Sequence, residues 1–246
     1  MKPIAAILAA VLGLSACVST VPQGPAPQPG PEKAILGKAG PRLSPRQAVD
    51  TFLAVRARME PVIERACGAR ARAANCDFRI GVADNPRLGP NAFQTLDRSG
   101  RPVIAFTLAL IADARNADEI AFVMGHEAAH HIAGHIPRQR ANAELGAALG
   151  AALGAAIGGG AQNVDLGQQI GGTVGARSYA KGFELEADAL GTELAWRAGY
   201  NPLRGAAFFA RIPDPGDRFL GTHPPNADRI ETVRRTLLRL GVTPKG

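Results

Sequence analysis

The stretch HEAAHHIAGH, residues 126 to 135, holds four of the five histidines of this 246-residue chain. In an α-helix a residue four places on returns to nearly the same face, so His126 and His130 point together. Glu127 lies about 100° round from His126 and about 60° from His130, within reach of whatever the pair grips. This H-E-x-x-H arrangement sets two neutral imidazoles on one metal ion, with a carboxylate beside them to take a proton from water. On one continuous helix His131 and His135 fall about 140° and 180° away from His126, so neither is expected to reach the same ion. A helix is expected here because Asn116 or Asp118 can cap its start, and Ile120, Ala121, Val123 and Met124 form an apolar run.

Two histidines alone hold zinc poorly, and a catalytic site usually has three protein ligands and one open position. A metzincin would continue as H-x-x-G-x-x-H, but Ala133 stands where the glycine belongs and Ile136 where the third histidine belongs. The other common solution is a glutamate from a second helix. FELEADALG, from Phe183 to Gly191, offers Glu184 with Asp188 one turn later. Glu184 can ligate while Asp188 orients a ligand histidine through its second nitrogen. Taken singly, Glu184, Glu186 or Asp188 reads better as part of a solvated acidic face.

Together the segments GHEAAH, GFELEAD and THPPNADRI resemble the HtpX-like and CAAX-prenyl-protease family of gluzincin peptidases. NPRLGPNAF (Asn85 to Phe93) and PVIAFTLALI (Pro102 to Ile111) are similar to the segments that family places before its zinc helix. The resemblance covers roughly residues 45 to 240 and implies an α+β, mainly helical zincin-type domain with a small β-sheet over the H-E-x-x-H helix. It implies one Zn²⁺ per chain on His126, His130 and Glu184, which selects Glu184 over Glu186, with Asp188 supporting a ligand and Glu127 as catalytic base. It also places His223 near the centre, as an oxyanion donor or as a fourth ligand closing the site at rest. An edge strand around Asn91, Ala92 and Phe93 is expected to pair with an extended peptide substrate. The chain departs from the family pattern in QTLDRSGRP, where many bacterial members carry a glycine-rich turn, and at Ala180 and Lys181, where Ser-Arg is usual.

The N-terminus reads as an export signal. Lys2, an apolar run from Ile4 to Leu14 and then LSAC place a lipobox at Cys17, and the run is too short to span a bilayer. Residues 1–16 are therefore expected to be removed and Cys17 lipidated, which attaches the chain to the membrane. Val18 in place of aspartate resembles proteins sent to the periplasmic face of the bacterial outer membrane. VPQGPAPQPGP holds five prolines and favours extended conformations, so residues 17–43 form a tether and residues 44–246 the folded domain. The domain opens with Ser44-Pro45-Arg46-Gln47, a capping box with proline in the first turn, and Val49, Phe52, Leu53, Met59, Val62 and Ile63 supply a buried stripe. With Cys17 modified, Cys67 and Cys76 remain, and in an exported chain they are expected to form a disulfide.

A hydrophobic content of 46% suits one good-sized core, filled by aliphatic residues because aromatics are only 5%. The net charge of +7 comes without aromatic-interleaved basic motifs, which favours an anionic surface over nucleic acid. FRIGVADN and PVIAF read as strands. LGAALGAALGAAIGGG, with glycines at 146, 150, 154 and 158, reads as a packed or mobile hairpin near the cleft in preference to a membrane span. The expected function is a membrane-anchored metalloendopeptidase acting on envelope proteins in quality control. A chaperone-like outer-membrane assembly factor with a structural or latent zinc site is the alternative, and the intact Glu127 argues against it, because a structural site needs no base.

Overall fold

In the computed structural model, residues 40–243 are described except 72, 73, 84, 159, 215, 217–220 and 222. Cys17 and the proline-rich tether lie outside the described residues. Ser44 caps the first helix, α1 (Pro45–Arg70), in a reciprocal box with Gln47. Its buried stripe is Ala48, Phe52, Val55, Met59, Ile63 and Cys67. The stripe is rotated from the expected one: Val49 and Leu53 are 48% and 51% exposed. Alanine at 48 lets α1 approach its neighbours closely, and the bulkier Val49 and Leu53 fall on the outer side. Cys67 and Cys76 are joined as a disulfide, tying the end of α1 to the chain that enters the sheet. Closing so short a loop contributes roughly 2 to 3 kcal/mol on the chain-entropy account.

Three strands follow: β1 (Arg79–Val82), β2 (Ala92–Leu96) and β3 (Pro102–Phe106). They are ordered β1-β3-β2, with β1 parallel and β2 antiparallel to β3. The central strand carries buried Ile104, Ala105 and Phe106, whereas β2 is an edge strand with mostly exposed side chains. Only β1 and β3 show a strand pattern in the sequence. β2 carries a hydrophilic stretch, Gln94-Thr95, because its faces are not in the core.

The short α2 (Leu108–Asp113) leads to α3 (Ala117–Ile132), which contains the H-E-x-x-H motif and is capped by the Asn116 side chain. Beyond it run α4 (His135–Ala156) and α5 (Ala161–Ser178), an antiparallel hairpin, then α6 (Ala180–Arg197), the one-turn α7 (Pro202–Ala206), a 3₁₀ turn (Ala207–Ala210) and α8 (Asn226–Arg239). The glycine-rich segment, residues 145–160, thus supplies the later part of α4, one arm of a packed hairpin whose other arm is α5. Among the described residues no helix is long and apolar enough to cross a membrane.

The helix α3 sits between two apolar clusters. Ile120 and Met124 join Phe52, Met59, Phe106 and Leu194 on one side. Phe122 joins Leu203, Phe209, Ile230 and Val233 on the other. Burial on both flanks fixes the roll of α3, and so the direction of its histidines. The whole is an α+β fold, mainly helical with one small sheet.

Candidate metal centre

α3 and α6 cross at a pair of glycines. A Cβ on Gly125 would come within 2.8 Å of the Gly191 carbonyl oxygen, and one on Gly191 within 2.7 Å of the His126 backbone nitrogen. No side chain fits at either position, so the two backbones meet there. That contact brings His126 and His130 of α3 against Glu184 and Asp188 of α6.

His126 Nε2 and His130 Nε2 stand 3.0 Å apart. Glu184 Oε2 is 3.6 Å from His126 Nε2, and Glu184 Oε1 is 3.4 Å from His130 Nε2. Ligands about 2.0 Å from a tetrahedral ion lie roughly 3.3 Å from one another. These separations bracket that value, and two imidazoles with one carboxylate form a donor set suited to zinc. Among the described residues this is the group of three whose donor atoms converge to hold a metal ion.

The far nitrogens of both histidines are occupied, which frees the Nε2 atoms to ligate. His126 Nδ1 is 2.9 Å from Asp188 Oδ1. Asp188 is fully buried and also receives Arg229 Nε on Oδ2 and Arg229 Nη2 on Oδ1, each at 2.7 Å. Burial would raise the Asp188 pKa, but the Arg229 guanidinium and His126 outweigh it and hold the carboxyl below its usual range. Burial likewise disfavours a charged His126 ring, and the Asp188 carboxylate overcomes it, raising the imidazole pKa. His130 behaves oppositely. Burial, with His126 beside it, pushes its pKa down to about 3, so the ring is neutral near pH 7 and keeps a lone pair for a metal.

His130 Nδ1 meets His135 Nδ1 at 2.8 Å. Periodicity had set His135 opposite His126, but α3 ends at Ile132 and Gly134 takes the left-handed conformation, with φ 65°. The turn restarts the chain as α4 and swings His135 back beside its neighbours. His135 Nε2 then lies 3.2 Å from Glu186 Oε2, which Arg138 also holds at 2.8 Å. Glu186 therefore serves the outer side of the cluster while Glu184 faces the ion position, as expected for residues about 200° apart on a helix. His131 takes no part and lies 2.8 Å from the Asn75 carbonyl oxygen.

Burial opposes the charge on Glu184, yet the His223 hydrogen bond and the charges of His126 and Arg229 lower its pKa to about 2, so it is ionised at neutral pH. His223 Nδ1 is 3.1 Å from Glu184 Oε2, on a ring 55% exposed. Glu127 has a raised pKa because burial disfavours its charged form. It lines a cleft of about 740 Å³ together with the three candidate ligands, His223 and Arg229. Asn91, Ala92 and Phe93 form one wall, where the Asn91 backbone N–H donates to Thr107 Oγ1 at 3.0 Å and fixes the start of the edge strand. Phe208, Phe209 and Ile212 form another wall. Arg211 holds that wall to α3 by pairing with both oxygens of the buried Glu119, at 2.6 and 2.8 Å.

The sequence profile of peptidase family M48 matches residues 54–237, three quarters of the chain and every side chain of the centre. The chain belongs to peptidase family M48. A comparison with curated proteins returns no match. As an M48 peptidase the protein is a metal-dependent protease, with peptides or proteins as substrates, and His126, His130 and Glu184 can hold the ion. Arg229, like His135, is a residue of this M48 centre to which the sequence alone assigned no role. Its signal was present: on α8 it falls one turn before Val233, on the face that buries Ile230 and Leu237, and a buried arginine requires a carboxylate partner.

Proposed function

We propose that the protein is an HtpX-like zinc metalloendopeptidase of the bacterial envelope, anchored by a lipid on Cys17 and cleaving envelope proteins in quality control. The observation that carries the catalytic part is the convergence of His126, His130 and Glu184 in a cleft that Glu127 also lines. When bound on those three residues, zinc supplies Lewis acidity for an attacking water and for the scissile carbonyl. Glu127 accepts the proton of that water and returns it to the leaving amine, and its raised pKa suits both steps. Asp188 and Arg229 hold the His126 ring in the tautomer that leaves Nε2 free. The edge strand β2 offers the outward backbone groups of Ala92 to an extended peptide, with Asn91 and Phe93 flanking it in the cleft wall, and the phenylalanine-rich walls accept apolar side chains.

Chelation is expected to remove casein cleavage and added Zn²⁺ to restore it. Undiminished cleavage by protein shown to be free of metal would sink this reading. The anchor is tested separately. Cys17→Ala should abolish acyl labelling and normal removal of residues 1–16, and unchanged labelling would place the anchor elsewhere.

His223 is proposed as a latch that competes for the ion's open position. It already sits against a candidate ligand, on a half-exposed ring next to Pro224 and Pro225, which limit its backbone. His223→Ala should weaken zinc affinity modestly and raise casein cleavage. A fall of roughly a hundredfold with unchanged zinc content would instead make it an oxyanion donor.

A further inference from the structure

The hairpin of α4 and α5 is packed inside out. Its seam is made of glycine: a Cβ added to Gly146, Gly150, Gly171 or Gly175 would collide with the backbone of the facing helix. Its large side chains are outside. Leu145, Leu149 and Leu153 on α4, and Leu166, Ile170 and Val174 on α5, are all exposed, Leu153 at 68%. Ile157, at the tip, is 78% exposed.

Each of these six residues precedes a seam position by one. In two antiparallel helices the residue before the seam turns to the same side of the pair on both, because reversing the axis reverses the sense of rotation together with the facing direction. The six therefore make one continuous apolar face. On the other side of the hairpin, Glu144, Asp165, Gln168 and Thr173 border a shallow groove.

A helix pair surrounded by water hides its leucines in the seam and turns small or polar residues outward. A close glycine seam with leucines outward is the packing of helices whose surroundings are apolar. The charges fit a lipid surface. Residues 145–164 contain no charged side chain, and Arg177 stands exposed at the base, where headgroups would lie, while Arg138 there is paired with Glu186 and Arg140 shares the face of Glu144. The acidic Glu144 and Asp165 belong to the other side. From Leu145 to Ile157 the helix runs about 18 Å. That is well short of a hydrocarbon core of about 30 Å, so the hairpin is built to enter one leaflet and not to cross.

We infer that the α4–α5 hairpin lays its apolar face into the surface of an anionic lipid bilayer, as an attachment separate from any N-terminal lipid. The inference does not rest on the peptidase activity or on acylation of Cys17. It is tested with the chain from residue 17 carrying Cys17→Ala, which has no acyl group, by flotation with phosphatidylcholine vesicles containing about a quarter phosphatidylglycerol. The protein should float with these vesicles. The combined variant Leu149→Asp, Leu153→Asp, Ile170→Asp should bind at least about tenfold more weakly, while Gln168→Ala on the other side binds as before. Because the triple variant risks unfolding, a second measurement uses Leu153→Cys labelled with bimane, the remaining cysteines being held in the disulfide. Its emission should shift to the blue on adding vesicles and be quenched by a nitroxide-labelled lipid. Failure of the unsubstituted face to float, or a bimane signal unchanged by vesicles, overturns the inference. So does a vesicle-independent dimer that the three aspartates dissociate, which would assign the face to a second copy of the chain.

Discussion

Glu127→Gln is expected to leave zinc content and thermal unfolding unchanged and to lower casein cleavage by about a hundredfold or more. The substitution keeps the shape of the side chain and removes only its capacity to take a proton. Glu127 lies outside the converging donor set, so the metal position keeps all three of its candidate ligands. Its carboxyl is also held partly toward the protonated form by burial, with the positive field of Arg229 and the neighbouring His126 opposing that rise. Burial thus gives Glu127 a greater affinity for a proton than an exposed glutamate has. The measurement is cleavage rate per bound zinc, with the unsubstituted protein alongside. A variant that cleaves at a comparable rate would remove Glu127 from the chemistry and return the proton transfer to another group that lines the cleft, such as His223.

What the sequence made legible was local periodicity. The pairing of His126 with His130 follows from helical spacing alone, and the capping box at Ser44 from four consecutive residues. Glu184 is fifty-four residues from His130 in the chain, and nothing local distinguishes it from Glu186; the family resemblance did. The structure then supplies the physical reason, since the crossing at Gly125 and Gly191 admits only the α6 face that carries Glu184 and Asp188. His135 was misplaced because the helix was extrapolated through Gly134, whose left-handed backbone redirects the chain. The edge strand β2 was implied by the family resemblance and not by its own pattern, because a strand outside the core needs no apolar alternation. The rotation of the α1 stripe reflects a choice between neighbouring positions, Ala48 over Val49, that depends on how closely the next element approaches.

Arg229→Ala is expected to be the most damaging single substitution at the centre, lowering stability by about 3 to 5 kcal/mol. Arg229 is buried, donates twice to Asp188 and lies with its guanidinium 3.9 Å from the centre of the Phe209 ring. Removing it leaves the Asp188 carboxylate in the core with the His126 ring as its remaining hydrogen-bond partner, and takes the guanidinium away from the Phe209 ring of the cleft wall. A buried ion pair contributes little when built, but breaking one side strands the other charge. The loss should extend to metal binding, because Asp188 is what fixes the His126 ring, and losing such support typically weakens zinc affinity by about tenfold to a hundredfold. Arg229→Lys should recover part of the stability, since it restores the charge but not the paired donation to both oxygens. Denaturant unfolding of all three proteins, with zinc content measured on each, separates the outcomes. If Arg229→Ala unfolds at the same denaturant concentration as the unsubstituted protein and keeps its zinc, then Asp188 orients His126 without help, and the arginine is only a filler of the wall.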